Sequence, residues 1–247
     1  MSAPPKKRLS RKERRLQRQN GEGVAEKLNF TLRDVIPLTE NQKLTFEAYR
    51  NNKNLMLHGI AGTGKSYISL YLALNQILNT ESVYKKIYII RSIVPVRDMG
   101  FLPGTNKEKA KVYEAPYYAI CSELFGRGDA YEYLKSKNMI EFMSTSFIRG
   151  TTLNDCIVIM DEMQNATFHE LDSVVTRVGR DCKIIFSGDF TQSDFTNDKD
   201  RMGITQFIKI IKNIRSFKFV EFNKNDILRS DLVRDYIIEK DRLGISA

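Results

Sequence analysis

The stretch Gly59-Ile60-Ala61-Gly62-Thr63-Gly64-Lys65-Ser66 decides how the rest of this chain is read. It fits the phosphate-binding pattern G-x-x-x-x-G-K-[ST], and it stands between a short apolar run, Leu55 to Leu57, and a long apolar helical pattern, Ile68 to Leu78. Glycines let the backbone bend until successive N–H groups converge on an anion, and a helix starting near Lys65 adds its positive dipole end to the same place. In such a cradle Lys65 reaches the β- and γ-phosphates of a nucleotide, and Ser66 offers a hydroxyl to Mg²⁺. The bare pattern arises by chance roughly once in a hundred chains of this size. The strand before it and the helix after it argue against a merely structural glycine turn.

Apolar runs recur on both sides of this loop: Leu55 to Leu57, Ile87 to Ile90, Met139 to Phe142, Ile157 to Met160, Lys183 to Phe186 and Phe217 to Phe222. Several do not alternate, which is how strands covered on both faces of a parallel sheet read. Helical patterns separate them, at Lys65 to Leu78, about Lys107 to Phe125, Asp129 to Ser136, Phe168 to Arg177, Gly203 to Ile214 and Ser230 to Leu243. Another runs from Leu38 to about Arg50, with Thr39 placed to cap it. Alternation of this kind predicts right-handed crossovers and a doubly wound, mostly parallel α/β sheet with helices on both faces. Ligands of such sheets bind beyond the carboxyl ends of the strands.

The candidate chemistry falls at those ends. The run Ile157 to Met160 delivers Asp161-Glu162, where Asp161 is expected to hold Mg²⁺ and Glu162 to orient and deprotonate an attacking water. The run Ile184 to Phe186 leads into Ser187-Gly188-Asp189-Phe190-Thr191-Gln192; Gly188 is expected to allow a tight turn and Gln192 to sense the γ-phosphate. Gln42 has two readings, a capping-box partner of Thr39 or a hydrogen-bonding partner for the edge of adenine. Asn223-Lys224-Asn225-Asp226 fits the N-K-x-D signature of guanine recognition, but no D-x-x-G directly follows the metal strand; Asp200 to Gly203 comes after a loop. Together these residues favour ATP over GTP.

The formal net charge of +9 over 247 residues is concentrated at one end. Residues 1 to 20 hold eight Lys and Arg against Glu13 alone, a net of +7, and the remaining 227 residues carry +2. Residues 1–23 therefore read as a basic arm and linker without the apolar content to fold alone, and 24–247 as one nucleotide-binding domain. Such an arm suits phosphate backbones, so nucleic acid is the expected partner. Basic and aromatic residues also interleave between Gly100 and Tyr118, with Lys107, Lys109, Lys111, Tyr113, Tyr117 and Tyr118. That mixture could grip a single strand, although aromatics at helical spacing are more often core. No run approaches a membrane span, and no apolar leader is visible, so a cytoplasmic protein is expected. Cys121, Cys156 and Cys182 lack metal-ligand spacing and read as reduced core thiols.

Taken in order, these motifs resemble the PhoH family of P-loop ATPases related to superfamily-1 helicases. The carriers are Gly59 to Ser66, Arg91 followed by Gly100-Phe101-Leu102-Pro103-Gly104, Arg149-Gly150-Thr151-Thr152-Leu153-Asn154, Asp161-Glu162-Met163-Gln164-Asn165, Ser187-Gly188-Asp189 with Gln192, and Arg229. The likeness runs from about Thr39 to Arg234. This chain has Ser92 where the family usually has proline, and Met163 where it usually has alanine. The resemblance implies a RecA-like domain that binds and hydrolyses ATP with Mg²⁺, with RNA or another nucleic acid as partner. Two-domain helicases complete their site with an arginine from the second domain. Here Arg229, Arg149 and Arg177 are the candidates, and a finger supplied in trans would call for a homo-oligomer such as a hexameric ring. The rival expectations are an ATP-switched binding module with little turnover and a P-loop kinase.

Overall fold

Five-residue β4 (Cys156–Met160) is buried at every position, and its Ile157-Val158-Ile159 core is β-branched, as suits a strand covered on both faces. The computed structural model describes residues 31–93, 106–189 and 198–243, except the side chains of 106–110 and 198–201. The basic arm lies outside them. The described residues from Leu32 onward form one compact unit.

Around β4 the described residues build a six-stranded sheet in the order β3-β2-β4-β5-β1-β6, every pairing parallel. Its other strands are β1 (Asn54–Gly59), β2 (Lys86–Arg91), β3 (Ile140–Ser144), β5 (Cys182–Gly188) and β6 (Phe217–Phe222). The helices are α1 (Glu40–Arg50), α2 (Lys65–Ile77), α3 (Asn106–Phe125), α4 (Ala130–Ser136), α5 (Phe168–Val175), α6 (Asp198–Lys212) and α7 (Asp231–Arg242). On one face Met56, Val158, Met160, Ile184 and Phe186 pack with Leu171 and Val174 of α5 and Phe207 and Ile211 of α6. Alternate positions such as Leu55, Leu57, Ile157 and Ile159 point to the opposite face, where α2 packs across β2, β4 and β5. The doubly wound α/β architecture expected from the sequence is therefore present.

One boundary differs from expectation. α6 begins at Asp198 rather than at Gly203, so Asp200 to Gly203 lies within a helix. Gly203 is tolerated there because a Cβ would come within 3.0 Å of the Phe168 side chain of α5. The thiols of Cys156 and Cys182 face each other across β4 and β5, with sulfurs 3.4 Å apart, and remain free.

Candidate functional site

β1 is anchored by Leu55, Met56 and Leu57, all fully buried, and the chain leaves it through Gly59 with φ at 129°. That glycine is required twice over, because a Cβ would lie 1.9 Å from the Phe222 carbonyl oxygen at the end of β6. Gly62 and Gly64 also take positive φ, at 79° and 82°, which closes the loop before α2 starts at Lys65. Inside it the Lys65 ammonium donates to the carbonyls of Gly59 at 2.6 Å and Ile60 at 2.8 Å, and to Thr63 Oγ1 at 3.3 Å. Burial pulls the Lys65 pKa down, opposed by the carboxylates of Asp189, Glu162 and Asp161. Ile60, Ala61 and Thr63 complete the cradle, with Thr63 Oγ1 donating to the Ile60 carbonyl at 3.0 Å.

β4 brings Asp161 to this loop. Ser66 Oγ donates to Asp161 Oδ1 at 2.9 Å, and Tyr117 of α3 donates its phenol to Asp161 Oδ2 at 2.8 Å, so both carboxylate oxygens are oriented by hydroxyls. Asp161 is 3% exposed and Tyr117 1%. A hydroxyl beside a carboxylate is the oxygen-only donor set that Mg²⁺ takes, so Ser66 and Asp161 fit that ion. Glu162 follows in the left-handed region, φ 50°, and its Oε2 accepts from Gln164 Nε2 at 2.5 Å. Gln164 Oε1 in turn accepts the backbone N–H of Asp189 at 3.0 Å. Gln164 thus joins the ends of β4 and β5. Gly188 ends β5 rather than making the expected turn; a Cβ there would lie 2.5 Å from Gln164 Oε1, so its absence makes room for this link.

These groups line a cavity of about 580 Å³ bounded by Gly62, Gly64, Lys65, Ser66, Asp161, Glu162, Gln164, Asp189 and Arg229, with Pro116 and Ile120 of α3 as an apolar wall. Arg229 is the arginine that lines it among the described residues; its side chain packs against Gly62, and the Leu228 N–H donates to the Gly62 carbonyl at 3.1 Å. Arg149 lines a different cavity, and Arg177 lines neither. Gln192 lies outside the described residues, as does the stretch Gly100 to Gly104.

Gln42, 4% exposed, braces the loop: its Nε2 donates to the Thr63 carbonyl at 3.3 Å and its Oε1 accepts from the Leu38 N–H at 2.8 Å. Thr39 caps α1 as expected, accepting from the Gln42 N–H at 3.3 Å. The Asp226 carboxylate of the N-K-x-D run is engaged by the Asn223 N–H and by Asn41 Nδ2, both at 2.8 Å, and is 2% exposed. It is a structural clamp between α1 and the end of β6. On α3 the interleaved aromatics divide: Tyr117 is buried against Asp161, while Tyr118, packed on Tyr131, and Tyr113, beneath Arg91, are half-buried. Lys111 is exposed, and the side chains of Lys107 and Lys109 lie outside those described.

The sequence reading gives Tyr117 only as one of the aromatics that could grip a strand and Gln164 only as part of a family motif, and neither is assigned to the phosphate site. For Tyr117 no local signal exists, since its partner is 44 positions away. The role of Gln164 could be suspected only from its place two residues beyond Glu162.

A strand-loop-helix phosphate cradle facing paired carboxylates on a parallel sheet defines the class of P-loop nucleotide-binding domains. Within that class, the sequence model of the PhoH family, described as "PhoH-like protein", matches residues 34–239. The chain belongs to that family. It is similar to the PhoH-like protein of Mycobacterium leprae, 32% identical over 203 residues, covering 82% of this chain and 57% of that protein. The PhoH-like protein of Bacillus subtilis is 32% identical over 205 residues, covering 83% and 63%. For Protein PhoH of Escherichia coli the identity is 28% over 205 residues, covering 81% and 57%. The chain thus spans about three fifths of the length of these relatives. Among solved structures, Pif1 helicase from Candida albicans aligns over 85% of this chain and 44% of its own, with TM-score 0.44 and 14% identity.

Proposed function

We propose that this chain is a Mg²⁺-dependent ATPase whose turnover is coupled to RNA or another nucleic acid. The 2.9 Å hydrogen bond between Ser66 and Asp161 carries the reading, because it gathers the phosphate loop and the metal carboxylate at one cavity, with Glu162 beside them. Ser66 and Asp161 would hold Mg²⁺, which would supply charge neutralisation to the phosphates of a bound nucleotide. Lys65 and the loop N–H groups hold the β- and γ-phosphates, and Arg229 meets charge developing on the transferred group. Glu162 accepts a proton from water as its oxygen bonds to the γ-phosphorus, while the bond from that phosphorus to the β-phosphate oxygen breaks. Since Arg229 lines the cavity of its own chain, an arginine can act in cis, and a ring is one assembly rather than a requirement. Gln192 as sensor and residues 1–23 as a phosphate-backbone arm complete the proposal, in a cytoplasmic setting consistent with three free thiols.

Glu162 hydrogen-bonded to Gln164 also supports a second reading, an ATP-gated nucleic-acid-binding module with little turnover. Phosphate release from ATP, with and without single-stranded RNA, separates the two. On the first reading RNA raises the rate and Glu162→Gln lowers it by about 10²- to 10⁴-fold, the usual contribution of a general base. Wild type and variant equally inert under both conditions would leave only the switch.

A further inference from the structure

A second cavity, of about 320 Å³, opens beyond the ends of β2 and β3 and is lined by Thr145, Ser146, Arg149, Glu170 and Ser173. Its wall is a short 3-10 turn, Thr145–Phe147, that continues into Gly150. Two residues of this segment face inward: Thr145 is 3% exposed and Ile148 is fully buried. The Ile148 carbonyl accepts from Thr151 Oγ1 at 2.7 Å and from the Thr151 N–H, which fixes the segment at its far end. The residues between these anchors, Ser146, Phe147 and Arg149, face solvent, and Phe147 is 63% exposed.

The carboxylate at the cavity floor is directed into the protein. Glu170 Oε2 accepts from the Thr167 N–H at 2.8 Å and from Thr167 Oγ1 at 2.9 Å, while Oε1 accepts from Ser92 Oγ at 2.8 Å and from Thr145 Oγ1. Burial alone would raise its pKa, but these donors hold it below the usual carboxylate range, so it is an ionised hub with its acceptor sites filled. Arg149 forms no ion pair with a described residue, which leaves its guanidinium as the outward charge of the cavity.

We propose that this cavity and the Phe147 ring seat one unit of single-stranded nucleic acid, with a phosphate on Arg149 and the neighbouring hydroxyls and a base stacked on Phe147. This rests on the reading that the chain works on nucleic acid, and it says where. A ring, a guanidinium and hydroxyls on a pinned turn provide the two contacts that bind strands irrespective of sequence, stacking and backbone charge. The seat is also wired to the nucleotide site. Glu170 ties Thr145 and Ser92 to the cap of α5, and the turn Met163–Asn165 just before that cap carries Gln164, which holds Glu162. A strand pressing on Thr145 therefore reaches the residue proposed to take the proton from water.

The test uses the full chain with short oligonucleotides, 4-thiouridine RNA and 4-thiothymidine DNA, photocrosslinked and mapped by peptide, together with affinities by fluorescence anisotropy. Crosslinks within 145–149 are expected. Phe147→Ala and Arg149→Ala should each weaken binding at least about fivefold, the low end for one lost stack, and Phe147→Tyr should retain it. Both losses should occur with affinity for a fluorescent ATP analogue unchanged, which reports an intact fold. Crosslinks confined to other segments, with both alanine variants binding like wild type, overturn this site and leave the functional reading standing. No binding of either oligonucleotide by wild type overturns both. Comparison of the RNA and DNA arms identifies which strand the seat takes.

Discussion

Asp161 carries two hydroxyl donors on one buried carboxylate, Ser66 on Oδ1 and Tyr117 on Oδ2, and the second donor fixes Oδ2 against α3 while Oδ1 lies on the side of Ser66. Replacing Tyr117 by Phe removes the Oδ2 partner in a site only 3% exposed, at a cost of about 1–3 kcal/mol in a urea unfolding series. The Mg²⁺ concentration needed for half-maximal binding of a fluorescent ATP analogue should rise severalfold. An unchanged Mg²⁺ requirement would mean that Tyr117 only packs. Lys183 gives a second test, through pH. Its ammonium donates to the Tyr49 carbonyl at 3.2 Å and lies 4.0 Å over the Tyr49 ring, yet burial lowers its pKa to about 8. The unfolded chain keeps that proton up to about pH 10, so between these values the unfolded state binds more protons and stability rises with pH. Lys183→Met should lose that rise, read as a wild type that gains on the variant from about pH 8 to about pH 10. Cys121, pushed up to about 12 by burial, and Cys156 act in the opposite sense, but equally in both proteins.

The strand-loop-helix element of β1 and α2 depends on the end of β6 as much as on its own residues. Asn54 to Gly59 pairs in register with Phe217 to Phe222, and the Ile60 N–H donates to the Phe222 carbonyl at 3.3 Å. Gly59→Ala therefore combines a backbone conformation that side chains rarely adopt with a 1.9 Å approach to Phe222. It should destabilise the protein by about 3 kcal/mol or more. Gly150→Ala, also at positive φ but with nothing within 4 Å, should cost only about 1–2 kcal/mol. Equal midpoints for the two variants in thermal unfolding would disprove the close-approach argument. Elements of this kind were largely legible in advance. The apolar runs mark the strands within a residue or two, because a strand covered on both faces must be apolar throughout, and the Thr39 cap marks the start of α1. The start of α6 was missed because an isolated glycine looks like a boundary, and only the packing of Phe168 explains why Gly203 belongs inside a helix.

Among the described residues, β5 lies between β1 and β4, so the loop Gly59 to Ser66, the end of β5 and Asp161 open side by side on one edge of the sheet. The sequence by itself determined the alternating α/β class, the loop Gly59 to Ser66 and the acidic pair at the end of β4, because each follows from residue types and short spacings. Strand order, the Tyr117–Asp161 and Gln164–Asp189 hydrogen bonds, and the presence of Arg229 but not Arg149 or Arg177 at the cavity beside the loop Gly59 to Ser66 were decided by the tertiary structure alone. The reason is physical. Hydrophobic periodicity records which face of an element is buried, but not which other element buries it. Partners that meet across tens of residues are chosen by how the helices and strands pack.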